Sequence, residues 1–492
     1  MFKKLFQQTF IYGLSTVLPR LISVLLLPLY TGILENSNFG DYSLIFAYFV
    51  IFNVVLSYGM ETAFFRFYNK EENPEQVIHT SHWSISLSTL IFVVLGFVFL
   101  EPIHQFTRIE TPILKLVIGI LALDALAVIP FAWLRAKGKP IKYAVIKTLN
   151  VSLNLGLNIF FLLYLKDWSK KFSVLESIYI EDYEVNYIFI SLFISSALTL
   201  LLLVEFFKQV EFQFNKQLWK RMMNYALPVL VAGLAYSINE VLDRILLERL
   251  LPQDIAKEQV GIYSACYKLG MFMTLFGTAF RLGVEPFFFS HAKSVNPTKA
   301  YAIITKYYSI LGGLILLVVL VFADLFKVIL IRDESYYEAM DIVPVILLAN
   351  LFLGLYHNLS VWYKVTDRTK FGAYISSLGA IVTVVINLTL IPVYGYYASA
   401  GATLLAYFLM MILSYFFGQK YYKIPYSTSK ISLYLLVAVG FSALAFYGFR
   451  ENYAVGTLLI LIFATIIYFG EKAELIQLLK PSNNQNSDET RT

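Results

Sequence analysis

The chain has 492 residues, of which 58% are hydrophobic and only 15% charged. Soluble domains run near ~45–50% apolar and ~25% charged, so the composition excludes a soluble globular protein and points to a membrane protein with many spans. The net charge of +6 is no nucleic-acid footprint in such a chain, and the single cysteine, Cys266, excludes an intrachain disulfide or a cysteine-based metal site.

A bilayer core takes about 20 helical residues. Fourteen stretches satisfy that length: 10–34, 39–62, 82–101, 113–134, 143–165, 186–207, 223–247, 260–282, 307–330, 340–362, 371–393, 396–418, 431–449 and 453–470. The first is too long for the apolar region of a signal peptide, so an uncleaved span is expected. The 35 Tyr and 42 Phe suit many membrane–water interfaces. Loop Lys and Arg fall on the side of the N-terminus by more than two to one, which predicts that both termini are cytoplasmic. The loops are short and leave no room for a soluble catalytic domain. The tail from Glu471 reads as amphipathic, then polar and disordered over 481–492.

Charges inside these spans are the informative residues, taken in chain order. In the first span Thr9, Gly13, Thr16, Arg20 and Ser23 share one face. A charge at the bilayer centre costs at least ~2.5–3.5 kcal/mol and normally faces a polar cavity or a partner. Pro19 beside it predicts a kink. In the second span Asn53, Ser57 and Glu61 form a stripe, with Arg66 just beyond. Asp124 of the fourth span has apolar neighbours along its own face, which predicts a partner for a cation or a proton carrier. In the fifth, Lys147, Asn150, Asn154 and Asn158 line one face; such stripes also simply pack helices.

Glu240, Asp243 and Arg244 lie in the seventh span. Glu240 and Arg244 stand four apart in the favourable order and could only neutralise each other. In the eighth, Lys268 lies near mid-span, facing a cavity or snorkelling to the interface. Arg66 and Arg281 lie near the cytoplasmic ends, as topology anchors or ligand contacts. His357 reads as structural. Arg20 and Lys268 together predict an anionic ligand, since Arg and Lys partner phosphate through charge-assisted hydrogen bonds. Cys266, about 200° from Lys268 around a helix, is expected to face away from any cavity that Lys268 faces, and Ser264 to share the Lys268 face.

The chain also repeats. Phe39-Gly40-Asp41-Tyr42-Ser43 resembles Val260-Gly261-Ile262-Tyr263-Ser264 at an offset of 221, and Trp133 and Asn158 recur as Trp362 and Asn387 at an offset of 229. The fifth-span stripe then falls on Ser376, Gly379, Thr383 and Asn387. An offset of six spans predicts two six-helix lobes related by an axis along the membrane normal, with a polar site between them. The expected divisions are 1–210 and 211–420 for the lobes, 421–470 for two further helices and 471–492 for a tail.

These residues lead to a family. The chain resembles bacterial polysaccharide and O-antigen flippases (Wzx-type) of the multidrug/oligosaccharidyl-lipid/polysaccharide exporter superfamily. The stretches that carry the likeness are Pro28-Leu29-Tyr30-Thr31, Phe39-Gly40-Asp41-Tyr42-Ser43, Phe64-Phe65-Arg66-Phe67-Tyr68, Trp133-Leu134-Arg135-Ala136, Asp243-Arg244, Tyr267-Lys268-Leu269, Arg368-Thr369-Lys370, Ile391-Pro392-Val393-Tyr394-Gly395 and Ala400-Gly401-Ala402-Thr403. The resemblance implies about fourteen transmembrane helices of an all-α fold around a central cavity. It implies a multi-pass protein of the bacterial cytoplasmic (inner) membrane, and alternating access that turns undecaprenyl-pyrophosphate-linked oligosaccharide to the periplasmic leaflet. Relatives place cations on helices 1 and 8, matching Arg20 and Lys268, although an arginine is expected at the second. It implies no cofactor, leaves a coupling ion (H+ or Na+) open, and makes a polysaccharide polymerase and chain-length machinery possible partners.

The residues expected to contact substrate are Arg20, Lys268, Arg66, Arg281, Asn150, Asn154 and Asn158. The expected coupling or charge partners are Asp124, Glu61, Glu240, Asp243 and Arg244. Alternatives are a peptidoglycan-precursor lipid flippase and a cation-coupled drug exporter, the latter disfavoured by the cationic pair. An integral-membrane polysaccharide polymerase would need a large outer loop or an acidic motif that the sequence lacks.

Overall fold

In hydrocarbon every backbone N–H and C=O must pair within its own segment, and the described chain is accordingly helical with no strand. The structure is a computed structural model in which residues 24–291, 296–366 and 368–479 are described. Arg20 and the rest of the first-span polar face lie outside the described residues. Fourteen helical segments correspond to the expected spans. They are α1 (Leu26–Thr31), α2 (Asn36–Tyr68), α3 (Pro74–Val98), α4 (Thr111–Ala136), α5 (Pro140–Ser169), α6 (Glu184–Leu202) and α7 (Lys216–Leu250), then α8 (Gln253–Tyr267 and Met271–His291 across a 3-10 turn at Lys268–Gly270), α9 (Pro297–Val321), α10 (Glu334–Val365), α11 (Lys370–Tyr394), α12 (Tyr396–Tyr421), α13 (Thr428–Gly448) and α14 (Tyr453–Leu479). Twelve of them, all but α1 and α8, are long and apolar enough to cross a bilayer. The protein is a multi-pass, all-α membrane protein.

Helix starts differ from the hydropathy reading because caps set them. The Asn73 side chain accepts from the Glu75 and Gln76 amides, and Pro74 takes the first position. Polar residues 74–81 therefore join α3, before the expected start at 82. Asn215 likewise caps α7 at Gln217 and Leu218. The ninth span begins at Pro297 and stops at Val321; residues expected to continue it form a separate short helix, Ala323–Leu330.

The second-span stripe is not continuous. Tyr58 and Gly59 adopt φ of 33° and 73°, ending one helical stretch and starting Met60–Tyr68. Glu61 thus lies on a separate helical stretch from Asn53 and Ser57. The glycine is required: a Cβ there would lie 2.5 Å from the Ala226 carbonyl oxygen of α7.

The repeat is visible in the packing. Gly40 of α2 and Gly261 of α8 cross face to face. A Cβ on Gly40 would overlap the Lys257 carbonyl, and one on Gly261 the Asn36 carbonyl, each carbonyl lying four residues before the opposing glycine. Asn158 and Asn387 are both fully buried. Each donates from Nδ2 to the carbonyl four residues earlier, at 2.8 Å.

The lobes are α1–α6 and α8–α12, and α7 serves both. Its first turns pack Leu218, Met222 and Ala226 with Phe64, Trp133 and Phe206 of the first lobe. Farther along, Asn239 accepts from Thr383 at 2.8 Å and donates to the Ser376 carbonyl at 3.2 Å on α11. The division expected at 210/211 thus precedes a helix shared between the lobes.

Helices α13 and α14 pack on α9 through Leu317, Val321, Ala438, Leu459 and Phe463. They are fastened at both ends. Buried Lys306 pairs with Glu471 and Glu474, while Lys430 and the Tyr434 hydroxyl also donate to Glu471. At the other end Arg450 and Lys327 hold Asp324. The expected start of a tail at 471 is corrected: Glu471 is fully buried, because a carboxylate inside the bundle is neutralised by two lysines.

Candidate functional site

The lobes are joined where Gly40 meets Gly261. Lys257 pairs with Asp41 at 2.8 Å and Arg108 with Glu248 at 3.1 Å. The Tyr336 hydroxyl donates to the Leu34 carbonyl at 2.7 Å, and Ser335 to Asn36 Oδ1 at 2.9 Å. Beyond this seal α8 departs from α2, and Met271–His291 packs on α9 and α10 instead. A cavity of about 340 Å3 lies beneath the seal, walled by α1 and α2 on one side and α7 and α8 on the other.

The break in α8 presents Lys268 to this space. Gly270 closes the 3-10 turn where a Cβ would lie 2.6 Å from Ile346, and a mid-helix 3-10 turn re-aims the side chains around it. Lys268 is exposed to the cavity. Ser264, one turn earlier, lines it too. Cys266 points the other way, fully buried, with Sγ donating to the Tyr336 carbonyl at 3.2 Å.

Glu240 and Arg244 face Lys268 from α7. The Arg244 Nη1 donates to the Glu240 carbonyl at 2.8 Å and to Asp243 Oδ1 at 3.0 Å. Asp243 Oδ2 accepts from the Tyr263 hydroxyl at 2.5 Å, and the guanidinium lies 4.5 Å from the centre of the Tyr267 ring. The carboxylate hydrogen-bonded to Arg244 is that of Asp243, while Glu240, the partner expected from i, i+4 spacing, acts on the guanidinium through its main-chain carbonyl and its charge. Tyr30, Tyr42 and Ser43 complete the polar lining. Sequence reasoning did not single out these three for the site, although the 221 offset places Tyr42 and Ser43 opposite Tyr263 and Ser264.

The other expected residues lie elsewhere. Asp124 accepts from Ser196 at 2.9 Å within the first lobe, with the Lys147 ammonium in electrostatic reach. The α5 stripe joins helices: Asn150 donates to Thr199 at 2.8 Å, and Asn158 accepts from Tyr30 at 3.0 Å and donates to Asn154. Glu61 pairs with Arg135 at 2.7 Å. Arg66 stacks on Tyr225 at 4.3 Å. Arg281, His357 and Lys364 line a narrow crevice at the far end of the second lobe. Among the described residues no three His, Cys, Asp or Glu side chains converge as metal ligands.

The family model described as polysaccharide biosynthesis protein matches residues 5–284, more than half of the chain. The chain belongs to that family. A second model, MatE, matches residues 228–389. Lipid II flippase MurJ in an inward closed conformation shares its fold with a TM-score of 0.74, over 95% of this chain and 100% of that one, at 14% identity. An inward-facing multidrug resistance MATE family transporter of the MOP superfamily gives 0.64 over 84% and 94%, at 11% identity. An outward-facing transporter of the same description gives 0.57 over 85% and 95%, at 13% identity. No curated protein matches the chain in sequence. The solved structures, all below 25% identity, show the shared two-lobed fold, and the two family models agree with a transporter of the multidrug/oligosaccharidyl-lipid/polysaccharide exporter type.

Proposed function

We propose that the protein is a flippase, not an enzyme, that carries undecaprenyl-pyrophosphate-linked oligosaccharide from the cytoplasmic to the periplasmic leaflet. Both termini are cytoplasmic in this reading, the Gly40 seal is periplasmic, and the cavity opens inward. The observation that carries it is the inter-lobe cavity, with Lys268 and Arg244 inside a membrane-embedded bundle. Cations so placed are costly unless they meet an anion, and a pyrophosphate supplies one. The tyrosine and serine lining suits hydroxyl-rich sugars, and the polysaccharide biosynthesis family model supports a glycan rather than a drug. Release follows when the seal opens and the lobes close at the Arg281 end. A polymerase and chain-length machinery then use the product.

The test is complementation. A strain lacking the gene should lose surface polysaccharide and regain it with the wild-type chain but not with Lys268→Glu at equal protein level. Rescue of a peptidoglycan-precursor flippase defect instead would shift the substrate to lipid II. Full rescue of polysaccharide by Lys268→Glu would remove the cavity from the mechanism.

A further inference from the structure

The connection between α5 and α6 is longer than joining them requires. In the second lobe the corresponding helices, α11 and α12, are joined through Gly395 alone, whereas residues 170–183 separate Ser169 from Glu184. The added length exposes apolar side chains. Val174 is 72% exposed and Phe172 56%, and Trp168, Ile178 and Ile180 are exposed as well. They do not belong to a loose coil. Buried Tyr187 of α6 accepts from the Ile180 amide at 2.7 Å and donates to the Ile178 carbonyl at 3.0 Å, and its ring stacks on Phe161 of α5. An ordered loop that holds large apolar side chains out of the fold has something to bury them against.

Helix lengths say what covers them. α5 has 30 residues and is about 45 Å long, the thickness of a bilayer with both headgroup layers. It starts beside Lys137, Lys139 and Lys142, cations that suit one headgroup layer, so Trp168 and Ser169 reach the other. α6 has 19 residues and is about 28 Å long, enough for the hydrocarbon alone. Residues 170–183 therefore run at headgroup depth, at the end of the first lobe where the lobes are sealed. The exposed set continues Leu163 and Tyr164 of α5 without a break.

We propose that residues 166–183 form a membrane-surface element whose partner is the phospholipid of the leaflet at the seal end. Trp168, Phe172, Val174, Ile178 and Ile180 lie just below the phosphates, where aromatic and aliphatic side chains of interfacial elements settle. Lys166, Lys170 and Lys171 are all exposed and reach phosphate oxygens along their apolar stems. Glu176, Glu181 and Asp182 are exposed too; these carboxylates stay in water and limit the element to a shallow depth. The inference goes beyond the flippase reading and does not depend on what the protein carries. It gives the first lobe a grip on one leaflet that the Gly395 connection of the second lobe lacks.

The experiment uses the full chain in vesicles of phosphatidylethanolamine and phosphatidylglycerol. A nitroxide is attached at Phe172→Cys or Ile178→Cys in a Cys266→Ala background. Asp254→Cys, at the same end of the molecule, is the water reference, and Leu461→Cys on α14 is the hydrocarbon reference; both positions are exposed. Collision rates with oxygen and with a water-soluble nickel chelate read the depth. Both loop probes should meet the chelate several-fold less often than Asp254→Cys and more often than Leu461→Cys. Lys170→Glu with Lys171→Glu should move both probes toward the water value. The unfolding temperature should stay that of the parent, since neither lysine side chain has a partner among the described residues. Loop probes that match Asp254→Cys would overturn the proposal, and so would a match to Leu461→Cys, which puts the loop in hydrocarbon. Probes that read as water in lipid vesicles and are shielded only in native membranes would make the partner a protein, and the lipid assignment would fail.

Discussion

Lys268 and Cys266 are two residues apart and face opposite environments, which makes the orientation of α8 testable one atom at a time. Cys266 is fully buried against α10, so it should react slowly with a charged maleimide. Lys268→Cys in a Cys266→Ala background should react at least about tenfold faster, since that position is exposed to the cavity, and lipid-linked oligosaccharide should protect it. Mass spectrometry of the labelled chain reads both rates; a fast Cys266 with an inert Lys268→Cys would reverse the assigned face. Lys268 and Ser264 were legible from helical spacing alone. Asp243 was legible as a charge partner but not as the one bonded to Arg244, because i, i+4 arithmetic pointed Arg244 at Glu240, whereas the guanidinium folds back onto its sequence neighbour. Ser43 was not singled out, although the repeat already paired it with Ser264, because a serine in an apolar span does not by itself show which face meets a cavity. Arg20→Ala should abolish export while the protein still inserts, measured as surface polysaccharide at matched expression.

At the level of helices, two kinds of ion pair predict opposite results. Hydrogen bonds from Lys139 and Lys142 hold the exposed Glu205 carboxyl down to about 2. A depressed carboxyl contributes above its ordinary value, near 4.5, and loses that contribution as pH falls through about 2. Solvent screens such a pair, so Glu205→Gln should leave the unfolding temperature nearly unchanged. Lys306 and Glu471 are buried. Glu471→Leu alone leaves a lysine without its main partner and should cost about 3–5 kcal/mol, seen as early melting. Lys306→Met with Glu471→Leu should recover most of it, because an apolar pair of similar volume replaces the ions. Hydropathy located the span that leads into Glu471 but ended it at 470, since a window that penalises charge cannot distinguish a charge in water from one met by two lysines inside the bundle. The same blindness placed the starts of α3 and α7 late, where Asn73 and Asn215 set them.

For the whole molecule, twelve of the spans and their order followed from the sequence because each is a long apolar run, whereas α1 and α8 do not meet that measure among the described residues; the two lobes followed from a repeat of a few residues. How the lobes touch did not follow, since it depends on backbone approaching backbone. Gly40 and Gly261 allow that approach. Gly261→Ala should therefore hold the lobes apart at this end. A short bifunctional cross-linker between Asp41→Cys and Lys257→Cys, in a Cys266→Ala background, should join the parent chain readily and the Gly261→Ala chain poorly; equal yields would show that the crossing is not the seal. The attachment of α13 and α14 at both ends has a different consequence. Lys306 with Glu471 and Asp324 with Arg450 fix these helices to α9 and to the short helix that follows it, so they should travel with the second lobe as one body. A spin label on the lipid-facing side of α14, paired with one on α3, is then a pointer outside the transport path. It would read the angle between the lobes through every step of the cycle without touching the cargo.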